Sequence, residues 1–190
     1  MTPYNLRPNE VSMTDALVRD GKLVAAAIDA APAAAATALA TAGDPAERAA
    51  LAIIAARAGV AAAALVPLLG NEGLDGQAAA WALGRLGAER ELLAAATEGD
   101  LDTRTNGYHG LVVLAAIGKA SPAVAPAMLA RVDAENERAK SGRTGLGEHA
   151  CRVLAVLGAP ETVARIQQVI EVDRFCDRFE LSRLRKAVED

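Results

Sequence analysis

Four twelve-residue segments of this chain are versions of one another: RAALAIIAARAG (48–59), GQAAAWALGRLG (76–87), GYHGLVVLAAIG (107–118) and GEHACRVLAVLG (147–158). Each closes on Gly, so the copies recur at intervals of 28, 31 and 40 residues. Recurrence at this period constrains the fold more than any single residue does, because it is the mark of a stacked array of small units. Within the twelve, positions 4, 7, 8 and 11 share one face at 3.6 residues per turn. Position 7 holds Ile54, Ala82, Val113 and Val153; position 8 holds Ala55, Leu83, Leu114 and Leu154; position 11 holds Ala58, Leu86, Ile117 and Leu157. Position 9 is always small (Ala56, Gly84, Ala115, Ala155), which lets a second helix come close. The closing Gly suits a left-handed cap that stops the helix.

A second helical segment comes after each copy: VAAAALVPLLG (60–70), AERELLAAATEG (88–99), SPAVAPAMLARVDAENERA (121–139) and PETVARIQQVIEVD (160–173). Pro122 and Pro160 suit helix starts, where a missing N–H costs nothing. The unit is helix, Gly turn, helix. One such pair cannot bury its apolar face alone, so neighbours must stack. Composition agrees. Of 190 residues, 52% are hydrophobic but only 3% aromatic, so the apolar content is mostly Ala, Leu and Val. Ala favours helices over strands and allows short interaxial distances. The expectation is an all-α fold, an α-solenoid of antiparallel helix pairs with roughly 10–11 helices. It is read as one domain over 1–190: N-terminal capping helices in 1–43 broken at Gly21 and Pro32, four repeats in 44–173, and a C-terminal capping helix in 174–190. That last helix has Phe175, Phe179, Leu181, Leu184 and Val188 on an apolar side, and Asp177, Arg178, Arg183, Arg185 and Lys186 on a charged one.

The strings AAAWALGRLGAER (78–90) and GEHACRVLAVLGAPETV (147–163) resemble the short HEAT-like repeat also found in phycobilisome lyase subunits. The resemblance covers about residues 44–173 and is a packing signature, nearly silent on activity. It implies an α-solenoid whose second helices line a concave side. Deoxyhypusine hydroxylases are similar in repeat type and bind iron through His–Glu pairs at helix starts. Here the comparable positions read Ala49–Ala50, Gln77–Ala78, Tyr108–His109 and, in reversed order, Glu148–His149. The His–Glu set is missing, so that activity is not carried over.

His109 and His149 are the only histidines and occupy the same repeat position. In neighbouring layers they would stand about 10 Å apart, too far for one metal, whose bonds to His are about 2.0–2.1 Å. They read as one structural position seen twice, and no metal or cofactor is expected. Cys151 and Cys176 make neither a disulfide framework nor a zinc spacing, which points to reduced thiols in the cytoplasm. Acidic residues Glu10, Asp15 and Asp20 argue against a signal peptide. The apolar stretches 23–43 and 49–70 are interrupted by Asp29 and Pro32, and by Arg57, Gly59 and Pro67, and read as buried helices rather than membrane spans. Glu148 and Arg152 have the spacing of a surface ion pair. Trp81 reads as packed between helices.

Net charge is −4, unevenly spread. Residues 1–100 carry 7 basic and 12 acidic groups, and residues 101–190 carry 13 and 12. This argues against nucleic acid, which a HEAT-like DNA binder would meet with a basic concave face and stacking aromatics. SGRTGLGEH (141–149) lacks the strand and GK[ST] of a phosphate loop. The longest repeat owes its excess to 133–148, charged and then Gly-rich, and insertions in solenoids map to loops on one face. No catalytic constellation is present in the sequence. The expectation is a protein-interaction module, an adaptor or scaffold that binds another protein through Arg131, Glu135, Arg138, Arg165 and Gln168 on the later second helices and Arg143 in the insertion. The alternatives are an immunity or inhibitor protein that caps a basic toxin or enzyme, a lyase-type or metal-dependent enzyme subunit, and a DNA binder.

Overall fold

In the computed structural model, residues 32–189 are described except 58, 60 and 61. The expected capping helices before residue 32 lie outside the described residues. Among the described residues every regular element is helical. The α-helices are α1 (Pro32–Thr41), α2 (Pro45–Arg57), α3 (Leu74–Leu86), α4 (Glu89–Glu98), α5 (Leu101–Ala116), α6 (Val124–Lys140), α7 (Gly147–Leu157), α8 (Thr162–Val172) and α9 (Arg178–Glu189). None of them is long and apolar enough to cross a membrane. The described residues fall into two compact units that divide at Ile117–Gly118.

The helix boundaries obey local chemistry. Asp44 precedes α2, and its Oδ1 accepts from the N–H groups of Ala46 at 2.8 Å and Glu47 at 3.0 Å, which satisfies two donors the helix cannot. Asp100 does the same for α5 by accepting from Thr103 N at 2.9 Å. The four repeat glycines, Gly59, Gly87, Gly118 and Gly158, all have positive φ, between 67° and 82°. At Gly87 and Gly158 the chain closes a Schellman turn: Ala88 N donates to Leu83 O, and Ala159 N to Leu154 O, each at 3.0 Å. A side chain at either glycine would strain the left-handed backbone.

One expected helix is absent. Of the segment 60–70, the described residues 62–70 hold two 3-10 turns, Ala62–Ala64 and Val66–Gly70, rather than an α-helix. A continuous helix would put Pro67 in its interior, where it has no N–H to donate and its ring meets the carbonyl four residues back. A second difference lies at the insertion. Residues 133–140 continue α6, so the irregular segment is only 141–146.

In the first unit α1 packs on α2, α2 on α3, α3 on α5, and α4 on α5. The first helices of successive repeats thus lie side by side. Their contact surfaces are small residues: Ala49, Ala52, Ala78, Ala79, Ala80 and Ala82 are buried, with Leu65, Leu83, Leu92, Tyr108, Leu111 and Leu114 filling the gaps. The approach of α3 to α5 needs glycine on both. A Cβ on Gly84 would stand 2.6 Å from Gly110 O, and one on Gly110 would stand 2.8 Å from Ala80 O. A buried polar knot fixes the 3-10 segment. Asp75, 1% exposed, accepts from Arg48 Nε and Asn71 Nδ2 at 2.8 Å each and from Gly76 N at 3.1 Å. Asn106 Nδ2 on α5 donates to Leu69 O at 2.9 Å and Asn71 O at 3.2 Å.

In the second unit α6 packs on α7 and α8, α7 on α8, and α9 on both α7 and α8. Val124, Met128, Val132, Cys151, Leu154, Ile166, Val169, Leu181 and Leu184 make its core. Gly147 opens α7 against α8, where a Cβ would come within 2.8 Å of Val169 Cγ2.

Candidate functional site

All six residues expected to contact a partner lie in the second unit, on α6, α8 and the segment between α6 and α7. They form two polar clusters and one isolated cation. The first cluster is internal. Glu135 was expected on an exposed face but is fully buried. Its Oε1 accepts from Arg131 Nη2 at 2.5 Å, one turn away, and its Oε2 accepts from the backbone N–H of Leu146 at 3.2 Å. Arg138 Nε stands 3.8 Å from the same Oε2. The carboxylate is covered because 141–146 folds back across α6: a Cβ on Gly145 would lie 3.0 Å from both Glu135 O and Asp173 Oδ2. Glu135 therefore ties the loop to the helix, and the tied loop holds Arg143 out in solvent.

The backbone N–H of Arg143 donates to Arg138 O at 3.0 Å, and Gly142 N to Ala139 O at 3.0 Å, which completes the end of α6. Gly142 makes the turn with φ of 77°. The second cluster bridges α8 to α6. Arg165 Nη1 donates to Asp133 Oδ1 at 2.5 Å and to Gln168 Oε1 at 2.8 Å. The structure thus brings Arg131, Glu135 and Arg138 together, and Arg165 with Gln168, while Arg143 stands apart.

The histidines fall in different units, His109 on α5 and His149 on α7, and both are partly buried. His149 Nε2 is 3.5 Å from Glu148 Oε1. Glu148 does not pair with Arg152 in the expected way. Its Oε2 accepts from Asp177 N at 2.7 Å, and Arg152 Nη2 faces Glu180 of α9 at 3.9 Å. The cause is α9, whose packing on α7 offers each group a partner from another element. Among the described residues no three His, Cys, Asp or Glu side chains are grouped to hold a metal.

Both cysteines are free. Burial pushes the Cys151 thiol up to about 12; Glu148 adds to the rise and Arg165 opposes it. A thiol so held is not a nucleophile. The Cys176 thiol is also raised, chiefly by burial and then by Asp173 and Glu148, and its Sγ lies 3.1 Å from Asp173 O. Trp81 is half-buried on α3, with the Arg85 guanidinium 5.7 Å from its ring centre one turn on.

Sequence reasoning missed one surface feature. Phe175 and Phe179, read as the apolar side of the last helix, are 85% and 75% exposed. The signal was present. Asp177 caps α9, with its Oδ1 accepting from Glu180 N at 2.9 Å, so the helix starts at Arg178 and leaves Phe175 outside it. Phe179 is two residues from Leu181, about 200° around the helix, and cannot share its buried face.

No protein-family model matches the chain, and no curated protein or solved structure matches it either.

Proposed function

We propose that the chain is an α-solenoid of HEAT-like helix pairs that works as a protein-interaction module, an adaptor or scaffold. The observation that carries this reading is the side-by-side packing of successive first helices, α2 on α3 and α3 on α5, each of α2 and α3 closed by a glycine with positive φ. Stacked pairs of this kind leave a row of second-helix faces open for a partner. In the second unit α6 and α8 are the second helices, and they pack on each other. They carry Arg138, whose side chain is 37% exposed, and the Arg165–Gln168 pair, which reaches Asp133 of α6. Arg143, exposed in the loop after α6, adds a further cation. Glu135 supports the surface from below rather than touching the partner. Arg is well suited to this work because its fork reads carboxylates and backbone carbonyls with defined geometry. The two free cysteines fit a reducing compartment such as the cytoplasm.

The test is affinity capture from native lysate with the intact protein and an Arg138→Glu/Arg143→Glu/Arg165→Glu variant whose helicity matches. A protein partner held by the first and lost by the second is the expected result. A partner held equally by both removes the assignment of these residues. Recovery of a stoichiometric metal or small molecule without any protein partner refutes the interaction reading itself.

A further inference from the structure

A chain with only 3% aromatic residues puts both of its phenylalanines in solvent. Single exposed apolar side chains are ordinary. Here two Phe lie four residues apart, Phe175 in the turn before α9 and Phe179 in its first turn, 85% and 75% exposed. Cations flank the two phenylalanines in sequence. Arg174, Arg178, Arg183 and Lys186 are all exposed. Phe179, Arg183 and Lys186 have the i, i+4, i+7 spacing, so they share one stripe of α9, turned away from Leu181 and Leu184. Arg183 leans 3.4 Å from Glu180, whereas Arg174, Arg178 and Lys186 enter no ion pair among the described residues.

We propose that this patch is a docking site for an acidic peptide segment bearing an aromatic or aliphatic anchor. The anchor packs on the phenylalanine pair, and the flanking carboxylates meet the arginines as charge-assisted hydrogen bonds. Charge decides against the other occupants. A second copy seated by two-fold symmetry would set one net-cationic patch against another. An anionic bilayer would meet Asp177 and Glu180, which interleave the cations, whereas a peptide places its carboxylates one at a time. The site goes beyond the α6–α8 surface and does not depend on it.

The test pans a random peptide display library on the immobilised full-length protein. Three variants run in parallel: Phe175→Ser/Phe179→Ser, Arg178→Glu/Lys186→Glu and Arg138→Glu/Arg143→Glu. The first two change exposed side chains, and far-UV circular dichroism is expected to match the parent; if the phenylalanine variant misfolds, the charge variant carries the test alone. The expected result is enrichment of peptides with Asp or Glu beside an aromatic or aliphatic residue. Their binding weakens about tenfold or more in either of the first two variants and falls with added salt, while the third variant binds normally. No enrichment, a consensus without acidic residues, or full affinity in the phenylalanine variant overturns the proposal. Binding to phosphatidylserine vesicles without peptide enrichment, or a dimer lost on Phe175→Ser/Phe179→Ser, overturns it in favour of a membrane or a second copy.

Discussion

Replacing Glu135 by Gln keeps the side chain's size and removes its charge. In the native protein both carboxylate oxygens face donors, Arg131 on one side and the Leu146 N–H on the other. An amide can accept through only one oxygen, so its NH2 group must confront one of these donors. One charge-assisted hydrogen bond is lost in a fully buried place, which costs about 1.5–3 kcal/mol. The Arg138 contact adds little, because that side chain is 37% exposed and the separation is 3.8 Å. With a urea slope of about 2 kcal/mol/M, a loss of about 2 kcal/mol moves the unfolding midpoint down by about 1 M. Glu135→Ala should cost more, about 3 kcal/mol, since it also leaves Arg131 facing a void. An Arg131→Met/Glu135→Met variant should recover part of this, because apolar isosteres often match a buried ion pair. Urea titration monitored by circular dichroism measures the midpoints, and amide exchange at Leu146 reports the loop directly. A midpoint for Glu135→Gln within about 0.2 M of the parent, or unaltered Leu146 exchange, would refute the claim that this carboxylate ties the loop to α6.

Two more expectations rest on the packing. Gly110→Ala should destabilise the first unit by about 1–3 kcal/mol, because the new methyl meets Ala80 O at 2.8 Å and the Leu92 side chain; a thermal melt equal to the parent's would contradict the close α3–α5 contact. Cys151 should resist thiol reagents in the folded protein while Cys176 reacts. Below the ordinary thiol range Cys151 is protonated both folded and unfolded; above about pH 9 the unfolded thiol ionises and the folded one stays protonated up to about 12. Stability therefore falls as pH rises through that window, and the fall should be shallower in Cys151→Val. An identical pH slope in the two proteins would rule this out.

The helices were legible where a side chain's neighbours in sequence are also its neighbours in space. The closing glycines at 59, 87, 118 and 158 foretold left-handed turns because only the local backbone is involved. Pro67 carried an equally local warning against a helix over 60–70, which the alanine run around it masked. The candidate contact residues were harder to read. Glu135 lies on the stripe of Val124, Met128 and Val132, so helical spacing points it inward, and only its charge suggested solvent. It is buried because a loop eleven residues on returns to cover it. The swap of Glu148 and Arg152 onto partners in and before α9 is non-local in the same way. Phe179 was misplaced for a different reason: grouping it with Leu181 ignored the helical step, which sets residues two apart about 200° around the axis.

The alanine layers of the first unit also bear on how this protein responds to temperature. Each buried methyl at Ala49, Ala52, Ala78, Ala79 or Ala82 hides far less apolar surface than a Leu or Phe would in the same place. Melting such a layer wets comparatively little hydrocarbon, so the heat-capacity increment should fall below the usual figure of about 12–15 cal/mol/K per residue. A small increment flattens the curve of stability against temperature. Cooling then weakens the fold only slowly, and close helix contact, rather than bulk of side chain, sets the temperature at which it melts.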